Sequence, residues 1–296
     1  MHPRRPRGFP GAAHPRTTAT MKYHRLLLPA LLASTPALGQ RGVLFGVYDP
    51  DSFIEGNATR FIGCHDGREF HSTGCPVRVD TMSTGDEMRA VDGSGRTARV
   101  RVEQVYARTG DLYEAPYALS VHDAGPEPGA PMLFWQADAG VRLLAPRAVT
   151  LDTAALALLR AEAVRLYQRA EALRAPGDRS ESLVLGTPVV RVVEGESRVA
   201  VYWPAALAYG SDRDTRASLF FVYDPGARRV VSARFGHPEW APMRQRDTVC
   251  AVEPLLFFRV GSDARTYILA RDTGPWEYVG FGVYDLRTGE RVLRSR

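Results

Sequence analysis

Phe281-Gly282-Val283-Tyr284-Asp285-Leu286-Arg287-Thr288-Gly289-Glu290-Arg291-Val292-Leu293 reads as strand, tight polar turn, strand. The same phrase stands 61 residues earlier, as Phe220-Phe221-Val222-Tyr223-Asp224-Pro225-Gly226-Ala227-Arg228-Arg229-Val230-Val231. Its first half occurs a third time, as Phe45-Gly46-Val47-Tyr48-Asp49-Pro50. Apolar and aromatic residues alternating up to the tyrosine suit a pleated, half-buried surface. An Asp at the strand end hydrogen-bonds its own downstream backbone, and Pro225 presets φ for a turn. Gly226 and Gly289 are expected to supply the positive φ of the hairpin loops. Turn chemistry therefore explains the repeated aspartates, with a ligand-binding or catalytic carboxylate as the rival reading.

Outward from these hairpins, residues 182–296 divide into strands: 189–194, 198–203, 219–224, 228–235, 249–260, 265–271, 278–285 and 291–293. They fall into two groups of four, each holding one copy of the phrase. Each group is similar to a β-propeller blade, and the Asp-Leu-Arg-Thr-Gly-Glu turn is of the kind such blades use. The blade reading is the alternative here, because a propeller would not place a six-turn helix mid-chain and the first half shows no clean period. That helix is predicted over about 152–175. Leu156, Leu159, Ala163, Leu166, Ala170 and Leu173 recur every three or four residues and define one apolar face. Arg160, Glu162, Arg165, Arg169 and Glu171 are expected on the other. Thr150 or Asp152 caps the start, and Pro176-Gly177 ends it. The preferred fold class is α+β, mainly antiparallel β with one long amphipathic helix lying on a curved sheet.

Residues 40–148 form a β-rich region, and 149–296 the helix plus antiparallel sheet. Strands are expected at 41–48, 76–80, 98–103, 117–121 and 132–136, with 83–95 as loop and turn.

The 296 residues carry a formal net charge of +5. Residues 1–39 hold six basic residues and no acid, so the remainder has 32 basic against 33 acidic side chains. A nucleic-acid partner is not expected, because the basicity belongs to the leader. Met21-Lys22-Tyr23-His24-Arg25 is a short positive segment, and Leu26 to Leu38 is apolar. Ala37-Leu38-Gly39 precedes Gln40 as a small-x-small cleavage site. Residues 21–39 are thus read as a signal peptide, and 1–20 as a disordered upstream extension before the true start at Met21. An uncleaved anchor and a mitochondrial-type presequence are the rival readings. No later segment reaches the length of about 20 apolar residues that a spanning helix needs. The mature chain is expected to be secreted or periplasmic, with no membrane span.

Cys64 and Cys75 are expected to close a disulfide, a ring that stabilises the fold by about 3 kcal/mol in the chain-entropy model. Cys250 is then a small buried apolar residue. Cys64, His65, His71 and Cys75 also allow a small metal-bearing module at 64–75, although their spacing matches no standard zinc site.

Chemistry is weakly signalled. There is no phosphate loop, zinc-protease helix or nucleophile elbow. His237, Glu239 and Trp240 share one turn, in a combination that suits a sugar or peptide site. Asp49, Asp224 and Asp285 act together only if their hairpins meet at one rim. Trp276 after Gly274-Pro275 is the aromatic most exposed by its context. Phe134-Trp135 and Tyr202-Trp203 are further stacking candidates. The chain is read as an exported bacterial binding or structural module, with a carbohydrate or protein partner and no cofactor. A secreted hydrolase working through carboxylates or His237 is the alternative.

Overall fold

Three antiparallel sheets and a helix build the body, and the side on which each strand buries its alternate residues decides how they stack. The structure is a computed structural model that describes residues 43–48, 58–66, 68–71, 85–107, 117–122, 131–135, 140–174, 176–210, 212–236, 252–273 and 279–294. All of them belong to one unit, Leu38–Arg296.

The first sheet contains β1 (Val43–Tyr48), β2 (Ala58–His65), β3 (Phe70–His71), β4 (Glu87–Asp92), β5 (Thr97–Ala107), β6 (Tyr117–His122) and β7 (Pro131–Trp135). Their order is β1-β7-β4-β5-β6-β2-β3, and β1 also pairs β2. Six strands therefore close a ring, with β3 flanking β2. Residues 83–95 are not all loop. β4 lies among them with Met88, Ala90 and Val91 buried, and Gly85 and Gly95 flank it at positive φ. The glycines that signalled a loop are its two ends.

Two four-stranded meanders follow. The first is β11 (Val189–Val192), β12 (Val199–Tyr209), β13 (Asp212–Asp224) and β14 (Arg229–Gly236). The second is β15 (Val252–Arg259), β16 (Tyr267–Thr273), β17 (Val279–Asp285) and β18 (Arg291–Arg294). Between barrel and helix, β8 (Arg142–Leu144) pairs β15 and β9 (Arg147–Ala148) pairs β11. One short segment thus adds a strand to each meander. β10 (Ser182–Leu185) continues along β12 where β11 stops. Pro204 sits at that junction. It has no N–H to leave unpaired, and its carbonyl accepts from Gly186 N at 2.9 Å.

The helix α1 (Thr153–Ala172) starts at Asp152, whose Oδ1 accepts from Ala155 N at 2.6 Å. Ala155, Leu159 and Ala163 meet Val199, Val201, Leu219, Phe221 and Tyr223 of the first meander. The other face of that meander, with Ala200, Phe220 and Val222, packs on Ile268, Ala270, Tyr284 and Leu286 of the second. The second meander's far face, with Phe258, Leu269, Phe281 and Val283, covers Val43, Phe45, Leu133 and Trp135 of the barrel. The layers run helix, meander, meander, barrel, and the architecture is α+β, mainly antiparallel β. Each fully buried aromatic or aliphatic side chain in these seams contributes roughly 1.5–3 kcal/mol.

The repeated phrase defines this stack. Phe220 of the first copy meets Tyr284 of the second, ring centres 5.4 Å apart. Phe281, equivalent to Phe220, faces onward to the barrel. There the third copy is turned over, because Phe45 points back at the second meander. The two meanders therefore stack head to tail, as successive blades do, and the barrel meets them head to head. Among the described residues no helix is long and apolar enough to cross a membrane.

Three expectations about α1 and the hairpins need correction. Leu173 is 79% exposed, while Glu171 is only 8% exposed. The chain returns through 176–180 and lays Ser180 over Glu171, whose carboxylate accepts from Ser180 N and Oγ. Gly226 does not take a positive φ. That conformation belongs to Arg228 at 47° in the first turn and to Gly289 at 70° in the second.

Candidate functional site

Of the described residues, those that best combine histidine, carboxylate, guanidinium and phenol meet at the seam between barrel and second meander. On the barrel side the β2–β3 turn is shaped by Asp66. Its Oδ1 accepts from Arg68 N at 2.8 Å and Glu69 N at 2.9 Å, and its Oδ2 lies 3.1 Å from His71 Nε2. Burial works against the charged carboxylate, but these hydrogen bonds outweigh it and hold Asp66 down to about 2. In the β2–β3 register Cys64 lies opposite His71 and His65 opposite Phe70. Alternation therefore puts Cys64 and His71 on one face and His65 with Phe70 on the other.

On the meander side the β15–β16 turn carries Asp263, Arg265 and Tyr267. Tyr267 Oη donates to Asp263 Oδ2 at 2.7 Å, and Arg265 Nε and Nη2 approach the same oxygen at 2.8 and 2.7 Å. Burial again opposes ionisation of Asp263, and the bonds from Arg265 and Tyr267 bring it down to about 2. Burial and the Asp263 bond push the Tyr267 phenol far up. Tyr267 is fully buried and pairs across the strands with Asp285.

His65 joins the two halves. It is 0% exposed, with its ring 4.5 Å from Phe70, edge to face, and 6.2 Å from Tyr267. Phe45 and Phe258 complete the aromatic cluster, at 5.6 Å from Phe70 and 5.8 Å from Tyr267 respectively. Burial lowers the His65 pKa, and the nearby charges of Asp66 and Asp263 only partly offset this. The site holds a buried imidazole against Phe70 and Tyr267, with the Asp66 and Asp263 carboxylates near it.

No family model matches this chain, and neither a curated protein nor a solved structure does. Function has to be argued from the geometry alone.

The residues singled out in the sequence fare differently. Asp224 Oδ1 accepts from Ala227 N at 2.9 Å, and Asp285 Oδ1 from Arg287 N at 2.6 Å and Thr288 N at 3.3 Å. Each carboxylate caps its own turn. Cys64 is fully buried. Asp49, Cys75, His237, Glu239, Trp240, Cys250 and Trp276 lie outside the described residues. Phe134, Trp135 and Trp203 are buried, so they belong to the packing and not to an exposed platform. Among the described residues no three His, Cys, Asp or Glu side chains converge as a metal site would need. Of the suggested set Cys64, His65, His71 and Cys75, the first three are split between two faces and Cys75 lies outside the described residues.

Asp263, Arg265 and Tyr267 were not singled out, although a signal exists. They stand at i, i+2 and i+4 across the turn that leads into β16, a cluster of polar groups within five residues. A second polar tie, Glu196 with Arg259 at 2.8 Å and with Thr266 Oγ1 at 2.5 Å, joins the first meander to the second.

Proposed function

We propose that this chain is exported through residues 21–39 and serves in the periplasm or outside the cell as a binding or structural module. The observation that carries this reading is the use of Asp224 and Asp285. A hydrolase working through them needs two carboxylates free to face a common bond, and both are engaged by backbone N–H groups of their own turns. A disulfide at Cys64 would fit an oxidising compartment, where such bonds persist. Cys75 is its proposed partner, closing the ring at 64–75. A carbohydrate or a protein is the proposed ligand class.

The test is to express the full gene product in a bacterial host and map the N-terminus of the protein in each fraction. Protein beginning at Gln40, found outside the cytoplasm and gaining two hydrogens on reduction of a Cys64–Cys75 peptide, is the expected result. Unprocessed protein confined to the cytoplasm with free thiols would overturn the reading.

A further inference from the structure

Like charges set directly opposite each other on a sheet destabilise it, so two exposed arginines in register serve something other than folding. β4 and β5 hold such a pair on the wall of the barrel. Arg89 stands opposite Arg99, and Glu87 opposite Arg101. The backbone bonds at the two ends of this ladder, Asp92 N to Arg96 O at 3.1 Å and Val102 N to Asp86 O at 2.9 Å, fix which pairs are hydrogen-bonded. Counted in from either end, 89 and 99 form a non-hydrogen-bonded pair, the kind in which opposed side chains stand closest. Met88, Ala90 and Val100 are buried on one side of these strands. Alternation turns Glu87, Arg89, Thr97, Arg99 and Arg101 to the other, and all five are exposed. Arg101 runs along Gly85, where an added Cβ would come within 3.3 Å of its Nη2. Among the described residues no carboxylate forms an ion pair with Arg89, Arg99 or Arg101. Glu87 offsets one of these three charges and leaves the Arg89–Arg99 pair uncompensated.

We propose that this wall binds a carboxylate-bearing polysaccharide, with Arg89 and Arg99 as a paired clamp and Arg101 beside them. The inference rests on the carbohydrate-binding reading above and names its ligand class. Charge complementarity carries it. A guanidinium presents its N–H groups as a planar fork that meets a carboxylate in two parallel bonds. Two such forks opposed across a strand pair can take neighbouring carboxylates of one polymer, and the bound anions remove the repulsion between them. The five exposed residues include no apolar or aromatic side chain. The face therefore lacks the buried anchor on which a folded protein partner depends, and the rings on which single-stranded nucleic acid stacks. A hydrated polymer with a charge on each sugar needs neither, and Thr97 adds a hydroxyl for its sugar oxygens.

The experiment is calorimetric titration of the purified full chain with polygalacturonate at low salt, beside neutral dextran and a single-stranded DNA oligonucleotide. Because the leader is itself basic, the readout is the ratio of wild type to variant. Arg89→Gln and Arg99→Gln should each weaken polygalacturonate binding about tenfold, as expected for the loss of a charge-assisted contact. Arg147→Gln removes the same charge from an exposed position on β9 and should change binding less than about twofold. Dextran should not bind. Neither substitution on the wall should lower the urea midpoint, because each relieves a like-charge contact. Equal losses in all three variants, or no loss at Arg89 and Arg99, would overturn the proposal. So would a fall in the urea midpoint of either wall variant, which would show that the arginine has a partner within the protein. A tenfold loss of DNA binding in the same two variants would give the wall to nucleic acid and likewise end it. Protein confined to the cytoplasm would remove the export reading and leave these ratios unchanged. Exported protein with no loss at Arg89 and Arg99 would remove the wall and leave that reading in place.

Discussion

The turns of the two meanders are written in nearly the same letters and are built under different constraints. In the first, Asp224 to Arg228, the left-handed position is held by Arg228 at φ 47°. In the second, Asp285 to Gly289, the equivalent position is held by Gly289 at φ 70°. The conformational demand is therefore the same at both. What differs is the surroundings. Arg228 is exposed, whereas Gly289 is buried against Ser232 and Val222 of the first meander. Its carbonyl also accepts from Ser232 Oγ at 3.3 Å and Arg234 Nη2 at 3.4 Å. A positive φ alone tolerates a long side chain at a cost of about 1–2 kcal/mol. Stacking a turn on a neighbouring sheet does not tolerate one.

That contrast can be broken most decisively at Gly289. An added Cβ there would overlap the Ser232 side chain and come within 3.2 Å of Val222 Cγ2, in a backbone region that already disfavours it. Gly289→Ala should lower stability by about 3 kcal/mol or more, read as the urea midpoint at unchanged slope. Ser232→Gly in the same chain should restore part of the loss, because it removes the overlapping atoms and leaves the φ penalty. A loss below about 1 kcal/mol would mean that the turn does not nest on the first meander.

The two aspartates sharpen the comparison at a smaller scale. Asp285 is 4% exposed and accepts two turn N–H groups, while the half-buried Asp224 accepts one and lies 3.9 Å from Arg198 Nε. Asp285→Ala should cost about 2 kcal/mol and Asp224→Ala about 1 kcal/mol, in line with the loss of a capping or turn acceptor. Equal losses measured by the same denaturation would remove burial as the source of the difference.

These turns also show how far the sequence could be read. The meander strands were legible because residues such as Phe220, Val222 and Tyr223 carry the alternation, and the hairpin phrase fixes where each pair reverses. β4 was not, because Gly85 and Gly95 at its ends outweighed the short run from Met88 to Val91. Glu171 was assigned to the wet face of the helix by its charge. Only the return of the chain at Ser180 gives that carboxylate a buried partner. The candidate site was the least legible part. Asp263, Arg265 and Tyr267 are a local polar cluster at the start of β16, but His65 stands about 200 positions earlier in the chain. Nothing local to Cys64-His65-Asp66 indicates that the imidazole will be enclosed by a tyrosine of the second meander. Such a contact follows from the stacking of whole layers, which the head-to-tail copies of the phrase signalled only for the two meanders and not for the inverted third copy.

The smallest expected effect is also the one of opposite sign. At Arg228 the chain bears the left-handed penalty with no packing need for a side chain or against one. Arg228→Gly removes that penalty, about 1–2 kcal/mol, and adds the greater freedom of glycine in the unfolded chain, about 0.5–1 kcal/mol. The net should be a gain of roughly 0.5–1 kcal/mol, seen as a rise in the urea midpoint. The substitution makes the first turn resemble the second in conformation without giving it a neighbour. Thus a glycine would stabilise at 228 through φ alone, while at 289 it is needed for φ and for space together. Loss of stability in Arg228→Gly would show that the arginine makes a contact worth more than its strained backbone, and the two turns would then differ in more than what lies beside them.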